Sequence, residues 1–132
     1  MSPKKPRVRP GDRTTARTRY RIARKYIDVA QLLEEDDGAS INACIGNAVL
    51  SGIAAGDAIG LAAVEERYAG QNHVEAARFL SQIDAESGKQ LRDLVNLKTA
   101  AHYGDQLLGP AERKLALRRA NALVNTAKMR TA

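Results

Sequence analysis

Five side chains could carry chemistry, and two of them break an apolar helical stripe. Leu91 and Val95 recur at helical spacing, and the next two turns of the same stripe hold Lys98 and His102. A cation and an imidazole therefore occupy positions otherwise given to core residues. Residues four apart are neighbours on a helix, so the pair could act together on a phosphate or a ribose hydroxyl, with His102 as acid and base and Lys98 stabilising charge. The plainer alternative is that Lys98 snorkels outward and His102 bonds a nearby carbonyl. Asp57 poses the same question on another stripe, after Leu50 and Ile53 and before Leu61 and Val64. An unpaired buried carboxylate is costly, so a partner is expected in Lys98, His102 or an arginine of the first helix. Asp57 then either orients His102 or forms half of an interhelical ion pair. Arg67 and His73 form the alternative catalytic pair, set around Gly70 with five residues between them. They could place two donors beside a small turn. Equally, His73 could simply open a helix capped by Asn72, and Arg67 could pair with Glu66 or Asp84.

Other chemistry finds no footing. The single cysteine, Cys44, cannot close an internal disulfide or anchor a zinc cluster, and a buried free cysteine behaves as a small hydrophobe. A reducing cytoplasm is the expected setting. No glycine-rich phosphate loop, HExxH or nucleophile elbow is present, so neither a metal nor another cofactor is expected.

The net charge of +6 hides a division along the chain. Residues 1–25 hold ten Lys or Arg against Asp12 alone, and residues 112–132 hold six against Glu112 alone, so the stretch between is acidic. Lys4, Lys5, Arg7 and Arg9, continued by Arg13 and Arg17, have the composition of a phosphate-tracking tail, because each cation near a polyanion releases condensed counterions. Nucleic acid, RNA before DNA, or an acidic protein is the expected partner. Tyr20 and Tyr26 fall on an apolar stripe, which argues against base stacking.

These residues must be positioned by helices. The 132 residues suit one domain, and the Ala, Leu, Ile and Val content with no Trp favours closely packed helices. Residues 1–12 contain three prolines and a glycine among the charges, which predicts a flexible basic arm. The expected fold is an all-α five-helix bundle over residues 13–130. The first helix is predicted from Arg13 to about Glu35, with Gly38 as a stop. A second, nearly apolar helix, capped by Ser40, is predicted to run to about Tyr68 at the bundle centre. Asn72 and Glu75 form a capping box for a third helix, Ser87 and Gln90 one for a fourth, and Gly109-Pro110 opens a fifth. The remaining apolar runs are interrupted by charge, so neither a secretory signal nor a membrane span is expected.

Three segments, AVLSGIAAGDAIGLAA in the second helix, GQNHVEAARFL opening the third and LVNLKTAAHYG in the fourth, resemble the HEPN superfamily across residues 16–127. AHYG in particular is similar to actinobacterial HEPN-like proteins. The resemblance implies a compact helical bundle that pairs as a homodimer or higher homo-oligomer and acts on or binds RNA, as in toxin-antitoxin and defence systems. Active members are implied to be metal-independent ribonucleases using an arginine, four to six intervening residues and a histidine. Counting back from His102 by that spacing gives Leu97, Asn96 and Val95, while Arg67 and His73 meet it at the turn between the second and third helices. A non-enzymatic oligomer fastened by its basic arm to nucleic acid or an acidic partner is the competing expectation.

Overall fold

The structure, a computed structural model, describes residues 7–103 and 108–132, with 101–103 described by backbone alone. Five helices and a two-stranded ribbon follow in the order β1 (Val8–Pro10), α1 (Arg13–Gln31), α2 (Gly38–Val64), β2 (Glu66–Tyr68), α3 (His73–Ile83), α4 (Ala85–Tyr103) and α5 (Pro110–Arg130). The all-α bundle expected from composition is the observed architecture. The ribbon is what composition did not suggest.

The core is organised around α2, which packs against all four other helices and β2, most extensively against α1. A stripe of glycines one turn apart lets its neighbours approach. A Cβ on Gly52 would meet Leu94 and Leu123 of α4 and α5, and one on Gly56 would meet Leu80 and Leu91 of α3 and α4. At Gly60 it would lie 2.6 Å from the main-chain oxygen of Glu66. Each turn of α2 is thus contacted by different elements. On the opposite side, the buried Ser51 hydroxyl donates to the Ala23 carbonyl at 2.7 Å and ties α2 to α1. With a mean hydropathy of 1.5 over its most apolar window and 27 residues, α2 has the length and apolarity of a membrane span. Asp57 is its only charge, and most of that window is turned inward against the other helices.

Helix boundaries follow side-chain caps. Asp12 caps α1 by accepting from the Thr15 N–H, and Asn72 caps α3 as its sequence predicts. Helix α1 ends at Gln31 instead of near Glu35, and α2 starts at Gly38 with Asp37 as its cap, so Gly38 opens a helix instead of stopping one. Asp37 prevails over Ser40 because its carboxylate reaches both the Ser40 N–H and hydroxyl. Similarly, Asp84 accepts from the N–H groups of Glu86 and Ser87, so α4 begins before the expected Ser87 cap. At its far end α2 stops at Val64, with Glu65 left-handed at φ 59°. That turn frees residues 66–68 to become β2.

β1 is the partner of β2. The antiparallel register sets Val8 against Tyr68, Arg9 against Arg67 and Pro10 against Glu66. Flanking bonds run from the Ala69 N–H to the Arg7 carbonyl and from the Gly11 N–H to the Glu65 carbonyl. Hydrogen-bonded pairs alternate along such a ladder, so Arg9 and Arg67 form one and Pro10 falls where no N–H is required. The flexible arm expected over residues 1–12 is therefore ordered strand at 8–10; residues 1–6 lie outside the described residues.

Candidate functional site

Asp57 points from α2 into a pocket of about 200 Å³ walled by α1, β2, α3 and α4. Its carboxylate accepts from Arg19 Nη2 at 2.9 Å, so the partner comes from the first helix, one of the three sources expected. The residue is 9 % exposed. Burial pushes its carboxyl up from 3.8 to about 6, although the charges of Arg19 and Arg67 pull the other way. Loss of hydration, which disfavours the charged form, outweighs the attraction of both arginines.

Arg67 reaches the same pocket from β2, and His73 from the first turn of α3. The fold therefore brings the Arg67 and His73 pair together with Asp57 around one cavity. Phe79, Leu80 and Leu91 supply its apolar wall. Two guanidinium groups face one carboxylate here. Arg67 donates to the Tyr68 carbonyl at 3.3 Å and makes no ion pair with Glu66 or Asp84. Arg19 Nε is buried and has no acceptor among the described residues. A buried donor left without an acceptor costs about 1–3 kcal/mol.

His73 also borders a second, more open pocket of about 430 Å³, formed with Asn72, Val95, Lys98 and Thr99. There Lys98 Nζ stands 3.1 Å from His73 Nε2. The ammonium can only donate, so Nε2 accepts and the ring proton resides on Nδ1. Burial first, and the Lys98 charge second, hold His73 below its usual 6.5. The imidazole is therefore neutral at pH 7. Lys98 makes no ion pair with Asp57; it is joined to His73 across the α3–α4 contact. His102 lies on α4 one turn beyond Lys98, and its side chain is outside the described residues.

The cations expected to bind nucleic acid divide. Arg7 and Arg9 are exposed on the β1 segment, whereas Lys4 and Lys5 are outside the described residues. Arg13 donates to the Ala132 carbonyl and Arg17 to that of Thr131 at 3.1 Å, so these two hold the end of α5. In α5 itself, Arg119 pairs with Asp93 and Arg113 with Asp36, while Lys114, Arg118 and Lys128 remain exposed. The basic C-terminal helix is thus partly a structural clamp. Cys44 is buried, and burial raises its thiol pKa, which leaves it a poor nucleophile.

Set beside known proteins, the chain matches no family model, no curated protein and no solved structure.

Proposed function

We propose that the chain is a HEPN-like, RNA-binding module that cleaves RNA without a metal at the His73 pockets. What carries this reading is the position of His73: a neutral imidazole on the wall between two pockets, with Lys98 on one side and Arg67, Arg19 and Asp57 on the other. Arg67 and His73 have the arginine-to-histidine spacing that the resemblance implies, and they share a cavity.

At rest the Nε2 lone pair is held by Lys98. A phosphodiester oxygen that draws the ammonium onto itself releases Nε2 as a base. The ribose 2′-oxygen then attacks phosphorus as its proton passes to His73, and the bond to the 5′-oxygen breaks as that oxygen takes a proton from Lys98. A cyclic 2′,3′-phosphate and a 5′-hydroxyl result, and the proton on His73 returns to Lys98. Arg19, positioned by Asp57, balances charge on the phosphoryl oxygens, and Arg67 holds the strand beside it. Purified protein incubated with total RNA in excess chelator should cleave it, and His73→Ala and Lys98→Ala should each lower the rate by roughly a hundredfold or more. Cleavage that survives His73→Ala but fails in His102→Ala would move the chemistry to His102.

A different observation favours the competing reading of an oligomeric interaction protein. Ile22, Tyr26, Leu50 and Ile53 line a groove between α1 and α2, and Leu50 is 42 % exposed. An apolar surface at that place suits self-association. Sedimentation of wild type and Leu50→Asp tests it: a dimer that Leu50→Asp dissociates would place the interface in this groove.

A further inference from the structure

The β1–β2 ribbon sets two arginines face to face. Arg9 and Arg67 are direct register partners, and their place in the ladder as a hydrogen-bonded pair puts their Cα atoms about 5.5 Å apart. Side chains of directly opposed residues leave a ribbon on the same side. Arg67 lines the Asp57 pocket, and Arg9 shares the ribbon face that carries Arg67. Like charges directly opposite one another destabilise a strand pair. Neither arginine forms an ion pair among the described residues, and the pocket's carboxylate, Asp57, is already bonded to Arg19. The ribbon therefore keeps an unfavourable charge pair that Asp57, bonded to Arg19, offsets only at a distance.

We propose that Arg9 and Arg67 together grip one phosphodiester of a single-stranded RNA, forming a subsite that leads the strand from the arm into the His73 pocket. The proposal rests on the RNA-binding reading above and adds a phosphate position next to the reacting one. Two guanidinium groups flanking one phosphate replace mutual repulsion with two charge-assisted forks. RNA is favoured over an acidic peptide because its phosphates recur at regular short intervals, so one can sit on the ribbon while its neighbour enters the pocket. Through Arg9, strand β1 becomes part of the site.

Binding of a short 2′-O-methyl RNA oligonucleotide, which cannot undergo attack by its own 2′-oxygen, tests the subsite by fluorescence anisotropy at low salt. Arg9→Gln and Arg67→Gln should each weaken binding by roughly tenfold, and the double replacement by little more than either alone, because one phosphate is shared. Arg9→Gln should also raise the melting temperature of the free protein at low salt and not at high salt, since it removes a repulsion that ions screen. Unchanged affinity in Arg9→Gln, or losses that simply add, would overturn the subsite. Coupled losses without any His73-dependent cleavage would support the subsite and sink the pocket chemistry alone. His73-dependent cleavage with additive losses would do the reverse.

Discussion

Lys98 Nζ lies 3.1 Å from His73 Nε2, although the two residues are 25 positions apart and belong to different helices. The contact fixes the imidazole tautomer and joins the two pockets through one ring. It also makes the His73 geometry depend on the α3–α4 packing. Gly88 permits that packing, because a Cβ there would fall 2.5 Å from Ser81 Cα.

That dependence predicts the behaviour of Gly88→Ala. The clash is with backbone that cannot rotate away, so the two helices must separate, at a cost of about 1–3 kcal/mol. Denaturant unfolding should show that loss, and cleavage should fall further than stability explains. Gly46→Ala is the control: a Cβ there meets nothing within 4 Å, so it should stabilise the fold by roughly 0.5–1 kcal/mol.

Asp57 makes stability depend on pH in a definite direction. Its carboxyl titrates near 3.8 when unfolded and at about 6 when folded. The fold thus favours the protonated form, and Asp57 reduces stability as pH rises from about 4 through 6. Asp57→Asn should flatten this segment of the profile. His73 acts oppositely: its pKa is lowered, so its contribution to stability is lost as pH falls below 6.5. Unfolding followed from pH 4 to 8 in both proteins separates the two groups.

Arg17 should matter to the fold more than to RNA. It donates from its Nε to the Thr131 carbonyl at the end of α5. Arg17→Ala should lower stability by about 1 kcal/mol and change oligonucleotide affinity less than Arg9→Gln does. Equal effects on affinity would return Arg17 to the binding surface.

Gly60→Ala connects fold to site. The added methyl would press on the Glu66 carbonyl and push β2, with Arg67, away from α2. Oligonucleotide affinity should fall together with stability, and a second-site change towards the other end of α2, such as Gly46→Ala, should restore part of the stability but not affinity.

Much of this architecture was legible in the residues. Asn72 before His73 and Gly109 before Pro110 mark true helix starts because caps act locally. Helix α2 was recognisable as the central helix from its small and apolar residues. Its end was not, because Tyr68 continues the helical spacing and only the left-handed Glu65 breaks it. β1 escaped notice because a strand of three residues containing a proline has no periodicity, and its partner lies far along the chain. The site was half visible: Arg67 and His73 stood out as a pair by their spacing, and Lys98 and Asp57 by their places on apolar stripes. Their grouping depends on how α3 meets α4 and β2 meets α2, which local spacing does not encode.

The central claim, that the His73 pockets cleave RNA by attack of the 2′-oxygen, is tested most directly by mass spectrometry of the fragments from a DNA strand carrying a single ribonucleotide. With chelator present, the wild-type protein should cut only after that ribonucleotide and leave a cyclic 2′,3′-phosphate and a 5′-hydroxyl, and His73→Ala should leave the strand intact. Cutting at deoxynucleotides, fragments ending in a 5′-phosphate, or an equally active His73→Ala protein would contradict it.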